Sequence, residues 1–150
     1  MQKRALNEEM QIKYIQKLIE NYELVYVEDP LNEENFEGFK ELNKGACLIS
    51  GDDLIATNIE RLIQAVKEKS ISAVIIKPNQ IGSLLKTKEV VDFAKKNKIV
   101  PVISHRSNET NDDMIAHLAV GWEIPIIKTG ISGGERLAKI NELIRISESL

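Results

Sequence analysis

The chain has a single cysteine and no long apolar segment. One cysteine cannot form an internal disulfide, and Cys47 lies in an apolar run, where a buried, unreactive thiol is expected. No apolar run approaches the roughly 20 residues that cross a bilayer. The first residues also lack the apolar stretch of a secretory signal. These absences predict a cytoplasmic protein that does not enter a membrane.

The chain also lacks any concentration of positive charge. Its 20 Lys and Arg residues are interspersed with 23 Asp and Glu residues, which gives a net charge of −3. Because no basic stripe forms, nucleic acid is not an expected partner. No Pro- or Gly-rich linker interrupts the 150 residues, a length that suits one domain.

Short apolar runs, each followed by charged residues, are the main positive signal. The runs occupy residues 24–27, 46–49, 73–76, 100–104 and 124–127. The residues that follow them are Glu28, Asp52, Lys77, His105 and Lys128, at intervals of 23 to 28 residues. This interval matches one strand–loop–helix–loop unit, and βα repeats build active sites at the ends of their strands. The pattern predicts five βα units with one shared site.

Helical spacing of apolar residues predicts a helix before the first run and one after each run. Asn7, Asn58 and Ser83 are candidate caps, and further helices are expected at residues 33–42, from Asn111 and at about 135–150. The residues assigned to inward faces are Ile12, Ile15, Ile19, Tyr22, Phe36, Phe39, Leu42, Ile59, Leu62, Ile63, Val66, Leu84, Val91, Ala94, Met114, Ile115, Leu118, Leu137, Ile140, Leu143 and Ile144.

Strands that alternate with helices indicate an α/β fold with a parallel sheet. The strands are almost wholly apolar, which predicts that both faces of the sheet are covered. Five strands do not close a barrel. Two architectures remain open, a compact open α/β domain or part of a larger barrel whose first and last strands have unpaired edges.

Acid pairs follow the first two strands. Glu28 and Asp52 end neighbouring strands, so their carboxylates can converge on Mg²⁺, which takes one or two carboxylates together with water and substrate oxygens. The alternative is that these acids cap the following helices or pair with lysines. Two acid pairs on successive strands favour the metal, and Asp29 and Asp53 are then expected to support the ligands.

Basic residues follow the later strands. Lys77 ends a wholly apolar strand, where partial desolvation favours its use as a base, although a surface lysine with an extended stem is the alternative. Lys128 has the same setting. Arg106 and Ser107 offer a guanidinium and a hydroxyl to a phosphate, and His105 lies beside them.

These groups together suggest one reaction class. A base removes a proton next to a carboxylate while a metal holds the resulting enolate. A five-stranded phospho-receiver module is an alternative, since it also has an acid pair after its first strand and a lysine after its fifth. Its third strand should end in Asp, however, whereas this one ends in Lys77.

From about residue 22 to its end, the chain resembles the enolase (phosphopyruvate hydratase) family. The matching motifs are Val27-Glu28-Asp29-Pro30, Gly51-Asp52-Asp53-Leu54, Lys77-Pro78-Asn79-Gln80, Ser104-His105-Arg106-Ser107 and Ile127-Lys128-Thr129-Gly130. Lys77-Pro78 and Gly133-Gly134-Glu135-Arg136 are similar to archaeal members. The resemblance implies a partial TIM-type barrel, with residues 1–150 as the carboxyl-terminal portion of the barrel domain and the amino-terminal domain and first barrel strands absent.

The resemblance also implies roles in the Mg²⁺-dependent dehydration of 2-phospho-D-glycerate to phosphoenolpyruvate. Lys77 matches the base, and Lys128 matches the lysine that contacts the substrate carboxylate. Arg106 and Ser107 match the residues that bind the phosphate, and His105 matches a histidine near the substrate. Glu28 and Asp52 match two of the three ligands of Mg²⁺.

The general-acid side of the family's site has no counterpart in this sequence, so we expect little or no enolase activity from the isolated chain. The expected partners are the substrate and product, together with a complementing amino-terminal chain or further copies of this chain. The alternative is a truncated, non-catalytic relative that binds phosphate esters or a partner chain.

Overall fold

The computed structural model describes residues 6–150, which form five strands and seven helices. The strands are β1 (Tyr26–Glu28), β2 (Leu48–Gly51), β3 (Ala73–Ile76), β4 (Val100–Ser104) and β5 (Ile126–Lys128). The helices are α1 (Glu8–Tyr22), α2 (Phe36–Leu42), α3 (Ile59–Glu68), α4 (Pro78–Ile81), α5 (Leu84–Lys96), α6 (Met114–Gly121) and α7 (Gly134–Ser147). The strands are parallel, in the order β1-β2-β3-β4-β5, and curl into a half-barrel. The predicted helix followed by five βα units is confirmed; the short α4 is an addition.

The strands β1, β2 and β5 begin two residues later than the apolar runs predict. For β1 and β5 the later start follows from how the preceding helix ends. After α1, Glu23 adopts a left-handed backbone (φ 49°), and the N–H of Leu24 donates to the Ile19 carbonyl at 3.1 Å. The N–H of Ile124 donates likewise to the Ala119 carbonyl of α6 at 2.8 Å. Such bonds satisfy the last carbonyls of a helix. The first residues of these runs therefore finish a helix before the strand starts.

The sheet is covered unequally. A large apolar core fills the space between the sheet and the helices, while a smaller cluster of Ala73, Ile75 and Val102 lies on the face turned away from the helices. The central strand β3 is buried along its whole length, as its apolar run predicts. β1 and β5 are only half-buried, which corrects the expectation that every strand is covered on both faces.

The predicted helix starts are confirmed where the caps were identified. Asn7 accepts the N–H of Met10, Asn58 accepts that of Glu60, and Ser83 is the cap of α5. Side-chain caps satisfy N–H groups that the first helical turn leaves unpaired. Within residues 6–150, no helix has the length and hydropathy needed to cross a bilayer.

Two helices start later than predicted, one at a nearer cap and one after a turn. α2 begins at Phe36 rather than at residue 33, since the Asn35 side chain accepts the N–H of Gly38 at 2.9 Å. α6 begins at Met114 rather than at Asn111, after a turn in which the N–H of Met114 donates to the side chain of Asp112.

Several helix residues that were assigned to inward faces are exposed. They are Tyr22, Ile63, Leu84, Met114, Leu137 and Ile144. The helix α7 shows the largest departure, because it buries Lys139 and Glu142 instead. This helix packs mainly on α6, and its orientation follows polar contacts with the loop after β4 rather than its apolar stripe.

Candidate functional site at the carboxyl ends of the strands

Lys77 and Asp52 meet at the mouth of the half-barrel, the edge at which the carboxyl ends of the strands lie. The Lys77 Nζ is 2.6 Å from one Asp52 carboxylate oxygen and 2.7 Å from the other. Only 14% of the Lys77 side chain and 10% of the Asp52 side chain are exposed. The pair is thus largely withdrawn from solvent, so its charges act on each other more strongly than exposed charges do.

Lys128 connects this pair to the first strand. Its Nζ donates to the Glu28 carboxylate and lies 3.8 Å from the nearest Asp52 oxygen. The second Glu28 oxygen accepts the Tyr26 hydroxyl at 3.1 Å. Glu28, Asp52, Lys77 and Lys128 therefore form one contiguous set of charges, called here the mouth network. Parallel strands present their terminal residues at the same edge, and the curl of the sheet brings the ends of the outer strands β1 and β5 together.

Asp29 supports the Asp52 loop, in the manner expected of it. One carboxylate oxygen accepts the N–H of Asp52 at 2.9 Å and the other accepts that of Asp53 at 2.8 Å. Asp29 has a left-handed backbone (φ 41°), which is uncommon for a residue with a side chain. Burial raises the pKa of its carboxyl, while the two backbone N–H groups oppose that rise. Asp29 thus joins the loops after β1 and β2.

Thr57 positions the backbone of Lys77. The N–H of Lys77 donates to the Thr57 hydroxyl at 3.0 Å, and Thr57 is fully buried. Both Ala56 and Thr57 have left-handed backbones, with φ values of 51° and 54°. A β-branched residue in this region is strained, and such strain is retained where the surrounding structure requires it. The Pro78 that follows Lys77 then starts α4 at its first turn.

The positive charges of two residues act on His105. Its backbone N–H donates to the Lys128 carbonyl at 3.1 Å. Burial lowers the pKa of the imidazole, and the positive charges of Arg136 and Lys128 lower it further, so the neutral ring is favoured. The His105 Nδ1 and the Arg136 Nη1 are buried without a hydrogen-bond partner among residues 6–150. Buried polar groups without partners are costly, so this position suits a polar or anionic ligand.

Arg106 and Ser107 lie on the exposed loop after β4. Together with Asn79 and Asn108 they line a polar cavity of about 260 Å³. Arg106 and Ser107 therefore present a guanidinium and a hydroxyl to the same cavity. Asn79 is two residues from Lys77 along the chain.

The donor set fits a cation that prefers oxygen ligands. Glu28 and Asp52 both approach Lys128, and each is neutralised by a lysine ammonium. Carboxylates that gather around positive charge in this way are the ligands that hard divalent cations take. Among the described residues, Asp29, Asp52 and Asp53 also offer oxygens close enough to share an ion. Asp29 already uses both of its oxygens on backbone N–H groups, which leaves Glu28 and Asp52 as the better ligands.

A second group with ligand chemistry lies between α6 and α7. Asp113, His117 and Glu142 approach one another, with His117 Nε2 2.9 Å from a Glu142 oxygen. Arg145 also binds Glu142 through both carboxylate oxygens and lowers its pKa. The group is accounted for as a cluster of polar contacts, in which the contact of His117 with Glu142 joins the two helices, in line with the structural role expected of His117.

Two residues near the site had no predicted role. Arg136 approaches His105 from α7, and Lys139 is buried against the loop that carries Arg106. In the sequence, Arg136 stands out only as part of the motif that begins at Gly133. Nothing in its neighbourhood along the chain distinguishes Lys139 from a surface lysine, because its burial depends on how α7 packs.

The sequence of the chain is similar to sequences of known proteins. The family model described as "Enolase, C-terminal TIM barrel domain" matches residues 1–150. The protein named enolase from Methanosphaera stadtmanae is 54% identical over 145 residues, which cover 95% of this chain and 35% of that protein. Enolase from Methanothermobacter thermautotrophicus is 52% identical over 143 residues, covering 93% of this chain and 34% of that protein.

Enolase from Archaeoglobus fulgidus is 49% identical over 146 residues, which cover 97% of this chain and 37% of that protein. The chain therefore spans about a third of the length of the curated relatives it matches. The predicted family and its archaeal character are confirmed.

Proposed function

The chain belongs to the enolase family, and on that premise we propose that it carries the base and substrate-binding side of a site for the dehydration of 2-phospho-D-glycerate to phosphoenolpyruvate. The observation that carries this proposal is the mouth network, in which Glu28, Asp52, Lys77 and Lys128 converge although they come from four different strand ends. Charged groups from separate strands gathered at one edge are the usual source of catalysis in βα-barrel enzymes.

Lys77 is the proposed base. Its amine takes the proton from C2 of the substrate, and the electron pair moves into the adjacent carboxylate. The pair then returns to form the C2–C3 double bond while the C3–oxygen bond breaks, and the departing hydroxyl takes a proton from a general acid, which a complementing part must supply, to leave as water. Lys128 neutralises the substrate carboxylate as negative charge develops on it. A base acts only when its amine is uncharged, so Lys77 must give up its bond to Asp52 before it can act.

Three residues after β4 complete the proposed substrate site. Arg106 forks onto the phosphate, Ser107 adds a hydroxyl, and His105 contributes a neutral imidazole. Glu28 and Asp52 would hold Mg²⁺, which when bound supplies positive charge where the ene-diolate's negative charge develops. The resemblance gives no residue of this chain the general-acid role. Loss of one acid–base group commonly lowers a rate by about 10² to 10⁴-fold.

The proposal is tested by calorimetric titration of the chain with 2-phosphoglycerate in the presence of Mg²⁺. We expect binding that is lost in Arg106→Gln, together with little or no formation of phosphoenolpyruvate in a coupled assay. Lys95→Met is the matched control, because Lys95 is a partly buried lysine on α5 outside the proposed site. A flat titration of the unsubstituted chain would reject substrate binding, and turnover near that of a complete enolase would reject the need for a complementing part.

A second candidate function is association through the open face of the sheet. Tyr26, Leu48, Val102 and Ile126 line an apolar cavity of about 250 Å³ on that face, and the outer edges of β1 and β5 are unpaired within residues 6–150. Unpaired strand edges and open apolar surface favour pairing with a complementing chain or a second copy. Light scattering at high concentration tests it. We expect self-association that Ile126→Glu reduces, whereas a monomer at every concentration would count against it.

A further inference from the structure

The buried lysine of α7 is the starting observation. Only 1% of Lys139 is exposed, and lysines are seldom buried this completely unless they are paired. Its Nζ donates to the Thr110 carbonyl and lies 3.8 Å from the Glu109 carboxylate. Both partners belong to the loop between β4 and α6, which also carries Arg106 and Ser107. The ammonium therefore links α7 to the loop of the proposed phosphate site.

Glu109 in turn organises the backbone of this loop. One carboxylate oxygen accepts the N–H of Arg106 at 3.2 Å, and the other accepts the N–H of Thr110 at 3.0 Å. The Glu109 side chain is only 13% exposed. The loop thus curls around a carboxylate, and this carboxylate is balanced by an ammonium from another helix.

We propose that Lys139 and Glu109 are positioning residues for phosphate binding by Arg106 and Ser107. Glu109 sets the turn that presents these two residues, and Lys139 holds the turn on α7. Lys139 also offsets a negative charge that would otherwise repel an incoming phosphate, and this second effect is strong because both groups are withdrawn from water. The inference rests on the phosphate role proposed above for Arg106 and Ser107.

The first test measures the loop by itself. Amide hydrogen exchange of the 150-residue chain reports on the two N–H groups that Glu109 accepts, those of Arg106 and Thr110. Lys139→Met is expected to speed exchange at both by about 10-fold or more, while amides of β3 keep their rates. Lys95→Met is the matched control, since Lys95 also donates to a loop carbonyl, that of Trp122, at 2.6 Å and lies 3.7 Å from a glutamate. Unchanged exchange at both loop amides would overturn the proposal.

The second test separates charge balance from simple loss of structure. Lys139→Met is expected to weaken the binding of 2-phosphoglycerate by about 10-fold, a factor equal to 1.4 kcal/mol. Adding Glu109→Gln to it removes the unbalanced carboxylate but keeps only one of the two oxygens that accept loop N–H groups, so it should recover part of that loss. If Lys139 acted only through packing, the double variant would bind 2-phosphoglycerate still more weakly than Lys139→Met. That result would reject the charge-balancing role.

Two outcomes distinguish this inference from the proposed function. If the unsubstituted chain binds no 2-phosphoglycerate, the proposed function fails, and the exchange comparison alone decides whether Lys139 holds the loop. If the unsubstituted chain binds and Lys139→Met binds equally well, the positioning inference fails while the proposed function stands. Should Lys139→Met not fold, Glu109→Gln alone gives the exchange measurement at Arg106 and Thr110.

Discussion

The Lys77 ammonium spans both carboxylate oxygens of Asp52, at 2.6 and 2.7 Å, although the two residues are 25 positions apart in the chain. This contact places the proposed base directly on a proposed metal ligand. The ammonium and a divalent cation therefore compete for the same oxygens.

Removing the lysine should strengthen metal binding. In Lys77→Met, Asp52 loses its closest cation, and we expect the affinity for Mg²⁺ to rise by about 10-fold, equal to 1.4 kcal/mol. Calorimetric titration with Mg²⁺ measures this affinity. Lys95→Met should leave it unchanged, and Glu28→Gln should weaken it. An equal or lower affinity in Lys77→Met would show that Asp52 is not a ligand in competition with this lysine.

The same pair should be coupled in its effect on folding. Asp52→Asn leaves a largely buried ammonium without its partner, and we expect it to lower the free energy of unfolding by about 2 to 4 kcal/mol. The double variant with Lys77→Met should recover part of this loss, with a coupling of about 1 to 2 kcal/mol. Urea denaturation of the four proteins of the cycle gives these values. Additive effects would mean that the contact contributes nothing to stability.

The Thr57 hydroxyl should matter more than an equally buried hydroxyl elsewhere. Thr57→Val leaves the Lys77 N–H without its acceptor, and we expect a cost of about 1 to 3 kcal/mol in the free energy of unfolding. Thr87 is also fully buried, but its hydroxyl donates to the Ser83 carbonyl, which already accepts the Thr87 N–H. Thr87→Val should therefore cost about 1 kcal/mol or less. Equal urea midpoints for the two variants would argue against the Thr57 assignment.

His105 should make stability depend on pH. Its pKa is lowered in the folded chain, so the unfolded chain binds more protons in the range below the ordinary value of about 6.5. The free energy of unfolding should then fall as the pH falls through this range, by at most about 1.4 kcal/mol per pH unit from this group.

The comparison with His105→Gln isolates that contribution. The raised pKa of Asp29 acts in the opposite direction, and it cancels when the two proteins are compared at each pH. Urea denaturation between pH 5.5 and 7.5 should show that the difference in stability shrinks or reverses towards low pH. Parallel curves for the two proteins would indicate that His105 titrates normally.

Some of the site could be predicted because its signals are local. The five apolar runs mark the strands, and each charged residue that ends a run must appear at the same edge of a parallel sheet. The caps Asn7, Asn58 and Ser83 act within one helical turn, so their helix starts were predicted correctly. Parallel strands therefore place Glu28, Asp52, Lys77 and Lys128 at one edge, although contact between the outer strands β1 and β5 also needs the curl of the sheet.

Other features depend on packing between distant segments. Leu137 and Ile144 continue an apolar stripe along α7, yet they are exposed, while Lys139 is buried. The orientation of this helix is set by α6 and by the loop after β4, which are close to it only in the folded chain. The sequence predicts that Asp29 supports the metal ligands. It does not predict that the two Asp29 carboxylate oxygens accept the backbone N–H groups of Asp52 and Asp53.

By itself, the amino-acid sequence determined the alternation of strands and helices, the family and the residues that end the strands, because periodicity, caps and motifs are properties of neighbouring residues. Only the tertiary structure decided which charges bind one another. Ion pairs such as Lys128 with Glu28 join residues 100 positions apart, and their formation depends on how the sheet curls and how the side chains are screened from water.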